Sequence, residues 1–211
     1  MPESARMILV LTAISGAAGL GLAAMNSVTE PLIAENERLF TLRSIAGVMP
    51  AADEPDPCAR PDPAYDNSPE QDAVCVGGFR VYRGRRGGEV VGLAVESVGD
   101  EAYGGTILAL VGLALDGTVT GIEVLRHGET PGLGSLITDC GWRRQLVGKG
   151  PDGQVWKVKK DGGDVDAIAG ATISSRSMID AVLKAQRLLA EKKDEILAAA
   201  PLEAREVCHA P

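Results

Sequence analysis

The stretch from Asp166 to Val182, DAIAGATISSRSMIDAV, concentrates the residues best placed for chemistry. Gly170 and Ala171 leave the backbone around Thr172 uncrowded, so its hydroxyl is accessible. An amphipathic helix is expected to begin two or three residues later. Its unpaired N–H groups and positive dipole end would favour an anion such as a phosphate. Ser174 or Ser175 as a plain N-cap, with Thr172 a loop residue, is the simpler alternative.

Other chemistries are poorly supplied. His127 and His209 are the only histidines, and no Gly-x-Ser-x-Gly turn accompanies them, which disfavours a serine hydrolase. The run GLGSLI (Gly132–Ile137) lacks the third glycine and the preceding strand–helix unit of a dinucleotide loop. No Cys-x-x-Cys, haem or zinc spacing is present, so no metal site is expected. The net charge is −8, aromatic residues make up 3%, and no basic cluster interleaves with them. That composition disfavours nucleic-acid binding.

The elements that must position Thr172 can be read in order. Met7–Met25, MILVLTAISGAAGLGLAAM, carries no charge. At ~1.5 Å per residue it spans roughly 28 Å, about one hydrocarbon core. A cleaved signal peptide competes, but the run exceeds a usual signal core and continues directly into EPLIAENERL. Arg6 precedes the span while Glu30, Glu35 and Glu37 follow it. The expected domains are therefore a cytoplasmic 1–6, a transmembrane helix 7–25 and an extracytoplasmic 26–211. Small residues in the span, Ser15 to Gly19 and Gly21, would allow close approach of partner helices, or reflect only how common Gly and Ala are in such helices.

Past the span, Thr29 and Pro31 suggest the N-cap and first turn of a helix with one apolar face through Val48. Residues 50–73 read as irregular, and 51–74 as an acidic, Pro-rich loop. Cys58 and Cys75 bracket it, and a disulfide there would lower unfolded-state entropy by roughly 3 kcal/mol. Cys140 with Cys208 would complete that pairing, as expected of an oxidising compartment. FRVYRGRRGGEVVGLAVESV suggests a hairpin turning at Gly84–Gly88. TILALVGLALDGTVTGIEVLRH suggests a second, turning at Asp116-Gly117. HGETPGLGSLI is too rich in Gly and Pro to be regular. Residues 151–168, with VWKVKK, suggest a third hairpin. Met178, Val182, Ala185, Leu189 and Ile196 mark the buried face of a helix from Ser175 to about Ala199. The fold class is α+β: an N-terminal transmembrane helix, then a domain of antiparallel strands with flanking helices.

Three segments together resemble the membrane-anchored FMN-binding domains. DAIAGATISS resembles their flavinylation motif, Asp-x-x-(Ser/Thr)-Gly-Ala-Thr, departing only at Ala169. HGETPGLG resembles their Glu-Thr-Pro-Gly-Leu-Gly loop, and YGGTILALVGLALDGTVTGIEVL the strands before it. Within this group the chain is similar to the G subunits of Rnf electron-transport complexes. The C subunit of sodium-pumping NADH:quinone reductase ranks second.

The resemblance implies one FMN, joined to Thr172 by a phosphoester that a flavin transferase installs from FAD. Asp166, Gly170 and Ala171 match the motif that the transferase reads. Glu129, Thr130, Gly132, Leu133 and Gly134 would line the isoalloxazine, Gly132 and Gly134 allowing close backbone approach and Leu133 covering a ring face. Tyr103 with Gly104-Gly105, and Ser174, would share that pocket. No catalytic side chain is implied, because the flavin performs the redox step. The chain would relay electrons, not being by itself a complete enzyme. Its partners would be other Rnf subunits, especially the flavin-carrying D subunit and the A and E membrane subunits, in a bacterial inner membrane with the main domain periplasmic. A cofactor-free assembly domain, or an FMN-binding protein outside Rnf, is the alternative.

Overall fold

A computed structural model describes residues 3–49, 72–202 and 208. The chain divides into two units between Phe40 and Thr41. The first unit is a single helix, the greater part of α1 (Glu3–Val48). It is long and apolar enough to cross a membrane, and Met7, Leu9, Leu11, Leu20 and Leu22 are exposed along it. The expected start of a new helix at Thr29 is corrected, since α1 runs unbroken through Pro31. Pro31 removes one backbone donor. The Thr29 hydroxyl donates back to the Met25 carbonyl at 3.0 Å instead of capping a new start.

The second unit is built on a five-stranded antiparallel meander in the order β1-β2-β3-β4-β5. The strands are β1 Ala73–Val76, β2 Phe79–Arg86, β3 Glu89–Ala102, β4 Gly105–Ala114 and β5 Val119–Arg126. Both hairpins expected over 79–98 and 106–127 are present as β2–β3 and β4–β5. The first turns more tightly than expected, on Gly87 and Gly88, both at positive φ. Alternation along the strands divides the sheet's two faces. Val81, Leu93, Val95, Ala109 and Val111 face the long helix α3 (Thr172–Ala198) through Met178, Val182, Ala185 and Leu189. Tyr82, Ala94 and Leu110 face Ile45, Val48 and Met49, at and just beyond the end of α1.

That second contact depends on a bare patch of sheet. Gly112 and Gly121 pair directly across β4 and β5. A Cβ on Gly112 would collide with the Val48 carbonyl, and one on Gly121 would approach Val48 Cα to 2.7 Å. The Thr120 hydroxyl donates to the same carbonyl at 2.6 Å. Gly112→Ala is therefore expected to cost about 1–3 kcal/mol by overpacking, measured by denaturant unfolding of the full chain. A loss within experimental error would show that this end of α1 yields without cost.

Two expectations for the rest of the unit are corrected. Residues 151–168 form no hairpin. Val158 and Val165 make one isolated parallel bridge around a 3₁₀ turn, Lys159–Asp161. Gly162 is left-handed, and Gly163 has no room for a side chain against the Lys157 carbonyl, so the chain doubles back too sharply for a ladder. The disulfide pairing is also different: Cys75 bonds to Cys208. This excludes both Cys58–Cys75 and Cys140–Cys208. Cys140 is itself disulfide-bonded, and Cys58 lies outside the described residues, as does most of the acidic loop. After α3 the chain returns beside β1, where Leu202 N–H donates to the Ala73 carbonyl at 2.7 Å.

Candidate cofactor site

Three stretches meet at one end of the sheet: the β3–β4 turn, the segment after β5 and the start of α3. The turn and the post-β5 segment touch through backbone alone. A Cβ on Gly104 would collide with the Gly128 carbonyl, and one on Gly128 would lie 2.5 Å from the Gly104 carbonyl.

Thr130 to Leu133 is a tight turn with Pro131 second and Gly132 third, at φ 74°. Leu133 N–H donates to the Thr130 carbonyl at 3.2 Å. This is the chemistry of a type II turn, where the third position needs positive φ. The Gly132 N–H is already engaged, donating to Ser135 Oγ at 2.9 Å.

Glu129 holds the three stretches together. Its side chain is buried, at 6% exposure. Oε1 accepts from Gly104 N–H at 2.7 Å, and Oε2 accepts from the Ser174 hydroxyl. A Cβ on Gly134 would strike Oε2, so glycine is what makes room for the carboxylate. Gly134→Ala is expected to displace Glu129 and lower stability by about 1–3 kcal/mol. Thermal unfolding followed by tryptophan fluorescence would measure it, and an unchanged midpoint would refute the clamp.

The helix begins at Thr172, not at Ser175 as expected, and neither Ser174 nor Ser175 caps it. Ala171 is the N-cap residue and supplies no side-chain bond. Both serine hydroxyls are taken up elsewhere: Ser174 donates to Glu129, while Ser175 Oγ accepts from Ile168 N–H and donates to the Ala171 carbonyl, both at 3.0 Å. The Thr172 hydroxyl is half-buried and makes no hydrogen bond among the described residues. Leu133 lies over Gly170, whose φ is 77°, and a Cβ there would approach Leu133 Cδ1 to 2.9 Å.

Together these stretches enclose an open cleft of ≈ 360 Å³. Of the residues singled out from sequence, Tyr103, Glu129, Thr130, Leu133, Gly134, Gly170, Ala171, Thr172 and Ser174 line it; Gly132 does not. Ile173 also lines it and was missed. The signal was available, because Ile173 is an apolar residue off the Met178–Val182–Ala185 face. Asp166 lies outside the cleft with its side chain 68% exposed, receiving a hydrogen bond from Lys159 Nζ at 2.8 Å. Nearby, the Arg176 guanidinium donates twice to Asp161, each at 2.7 Å, and holds that carboxyl below its ordinary range.

The donor set fits FMN. Exposed apolar walls from Tyr103, Leu133 and Ile173 suit a flat ring. The uncapped first turn of α3 presents N–H groups where a phosphate ester on Thr172 would sit.

The FMN-binding domain family matches residues 102–187, which contain every lining residue of the cleft. The G subunit of the ion-translocating oxidoreductase complex of Cereibacter sphaeroides is 36% identical over 207 residues, covering 92% of this chain and 88% of that protein. Its counterpart in Escherichia coli (strain K12) is 35% identical over 189 residues, covering 83% and 86%. Among solved structures, the crystal structure of Shewanella oneidensis NqrC aligns with a TM-score of 0.46 and 24% identity over 64% of this chain and 73% of that one. At the identity shared with the two curated relatives, over most of the length of each protein, the chain belongs to the family of G subunits of ion-translocating oxidoreductase complexes.

Proposed function

We propose that this chain carries one FMN as a phosphoester on Thr172 and relays electrons within an Rnf-type, ion-translocating membrane complex. The observation that carries the reading is the free Thr172 hydroxyl at the uncapped start of α3, opening into an apolar-walled cleft. Attachment transfers a flavin mononucleotide from FAD. Thr172 Oγ1 forms a bond to the flavin-side phosphorus, the pyrophosphate P–O bond breaks, AMP leaves, and the hydroxyl proton passes to a base of the flavin transferase. Bound there, FMN supplies one-electron redox chemistry.

The remaining work belongs to the protein. The first turn of α3 would hold the phosphate and Leu133, Ile173 and Tyr103 would shield the ring, while Glu129 holds the cleft's three sides in register. Ser174 Oγ spends its proton on Glu129, so it can offer a ligand only an acceptor.

Residues 7–25 anchor the chain in a bacterial inner membrane, with 1–6 cytoplasmic and 26–211 periplasmic. The charges flanking the span and the Cys75–Cys208 disulfide support that orientation. The partners in this reading are the D subunit and the A and E membrane subunits, with the flavin transferase acting during maturation.

Mass spectrometry of protein from its native membrane tests the reading. Trypsin releases Asp161–Arg176, in which Thr172 is the only threonine. FMN less one water, localised to Thr172, is the expected mass. An unmodified peptide from folded protein that holds no flavin would refute the proposal and leave a cofactor-free assembly domain.

A further inference from the structure

Asp166 is gripped through its main chain by side chains from a separate module. That module is α2 (Cys140–Arg143) with the 3₁₀ turn Arg144–Leu146. Gln145 uses both ends of its amide: Oε1 accepts from Asp166 N–H at 2.7 Å, and Nε2 donates to the Asp166 carbonyl at 3.2 Å. Trp142 Nε1 donates to the same carbonyl at 2.7 Å. The module is itself tethered to the sheet, because buried Arg143 donates to the Ile122 carbonyl and pairs with Glu123 at 2.9 Å. Further along the loop, Ile168 N–H donates to Ser175 Oγ, and Ala171 N–H donates to the Ile168 carbonyl at 2.9 Å.

The loop from Asp166 to Ala171 therefore has its first residue held at both main-chain polar groups. The Asp166 carboxylate is left exposed, and Thr172 follows with its hydroxyl free. A side chain that only packed would need no such pair of bonds to the main chain of one residue. We propose that Gln145, seconded by Trp142, is a positioning residue for flavin attachment. It holds the acceptor loop in the conformation that presents Asp166 and Thr172 together to the flavin transferase. The proposal rests on Thr172 being the flavinylated residue. Neither Gln145 nor Trp142 lines the cleft, so neither touches the flavin.

Such a residue acts on recognition. An acceptor loop that must be ordered during the encounter weakens the encounter, while the step at Thr172, once bound, proceeds as before. Two lost hydrogen bonds toward the weak end of the ordinary net range correspond to about tenfold. The test uses the full chain in detergent, made without transferase and then incubated with a purified flavin transferase and FAD. Flavin fluorescence of the denatured chain gives the rate, and the Asp161–Arg176 peptide mass gives the site.

Gln145→Met, which keeps volume and removes both bonds, is expected to raise the KM for the chain about tenfold with little change in kcat. Amide exchange at residues 166–168 should accelerate, with the thermal midpoint little moved. Gln145→Glu keeps the acceptor for Asp166 N–H but loses the donor to its carbonyl, and is expected to recover only part of the lost affinity. An unchanged KM for a folded Gln145→Met chain overturns the proposal, as does a fall in kcat alone. If Gln145→Met does not fold, Trp142→Phe, which removes the indole donor along with part of the ring, decides by the same KM. Wild-type chain that is folded yet takes no flavin on Thr172 overturns the underlying reading, and this proposal with it.

Discussion

Thr172→Ala is expected to give a folded chain with no covalent flavin at all, a complete loss and not a graded one. Alanine offers no oxygen to the phosphorus, and the neighbouring hydroxyls cannot substitute. Ser174 is 1% exposed and donates to Glu129, while Ser175 is buried between Ile168 and Ala171. Stability should barely move, by less than about 1 kcal/mol, because Thr172 is the first residue of α3 and alanine is the better helix former. Its hydroxyl also has no partner to lose among the described residues. Thr172→Ser keeps the oxygen and is expected to keep the flavin. Fluorescence of the denatured chain, beside its intact mass, distinguishes these outcomes. Flavin phosphate retained by Thr172→Ala would place the linkage elsewhere and remove the rationale for an uncapped helix start.

The second large effect is expected far from the cleft. Arg83→Met should destabilise the domain by about 3–5 kcal/mol, the range for removing one partner of a buried ion pair. Arg83 lies in β2 and is 2% exposed. It donates to Asp72 and also to the carbonyls of Ile196, Leu197 and Ala199 at 3.0, 3.2 and 2.9 Å. Those carbonyls belong to the last turn of α3 and the residue after it, where no intrahelical donors remain. Methionine has similar reach and no donors, so the carbonyls and half of the Asp72 carboxylate lose their partner together; Arg85 still pairs with Asp72. Arg83→Lys should recover only part of the loss, since one ammonium cannot span the fork of a guanidinium. Urea unfolding of the full chain with its disulfides oxidised, followed by Trp142 and Trp156 fluorescence, measures it. A cost below about 1 kcal/mol would mean that water replaces the arginine and the end of α3 needs no cap.

These two residues illustrate different degrees of legibility. Thr172 stands out from sequence because small neighbours and a following amphipathic run are local features. Arg83 does not. It sits among basic residues beside an expected hairpin turn, and only its contacts with Asp72 and the end of α3 in the folded chain bury it.

The same division runs through the whole chain. The apolar span of α1, the Asp116-Gly117 hairpin and the buried face of α3 follow from the sequence, and nearly every lining residue of the cleft follows from the family resemblance that its motifs carry. Each depends on periodicity, turn chemistry or a contiguous motif within a few residues. Tertiary structure alone decided the Cys75–Cys208 pairing, the start of α3 at Thr172, the sharp reversal at Gly162-Gly163 and the placement of Gln145 on Asp166. Each of the four depends on a partner's position in space. A cysteine pairs with whichever cysteine the topology delivers. A serine stops being a cap when a buried carboxylate or a loop amide claims its hydroxyl, and a glycine becomes obligatory when another segment's carbonyl occupies the space of its missing Cβ.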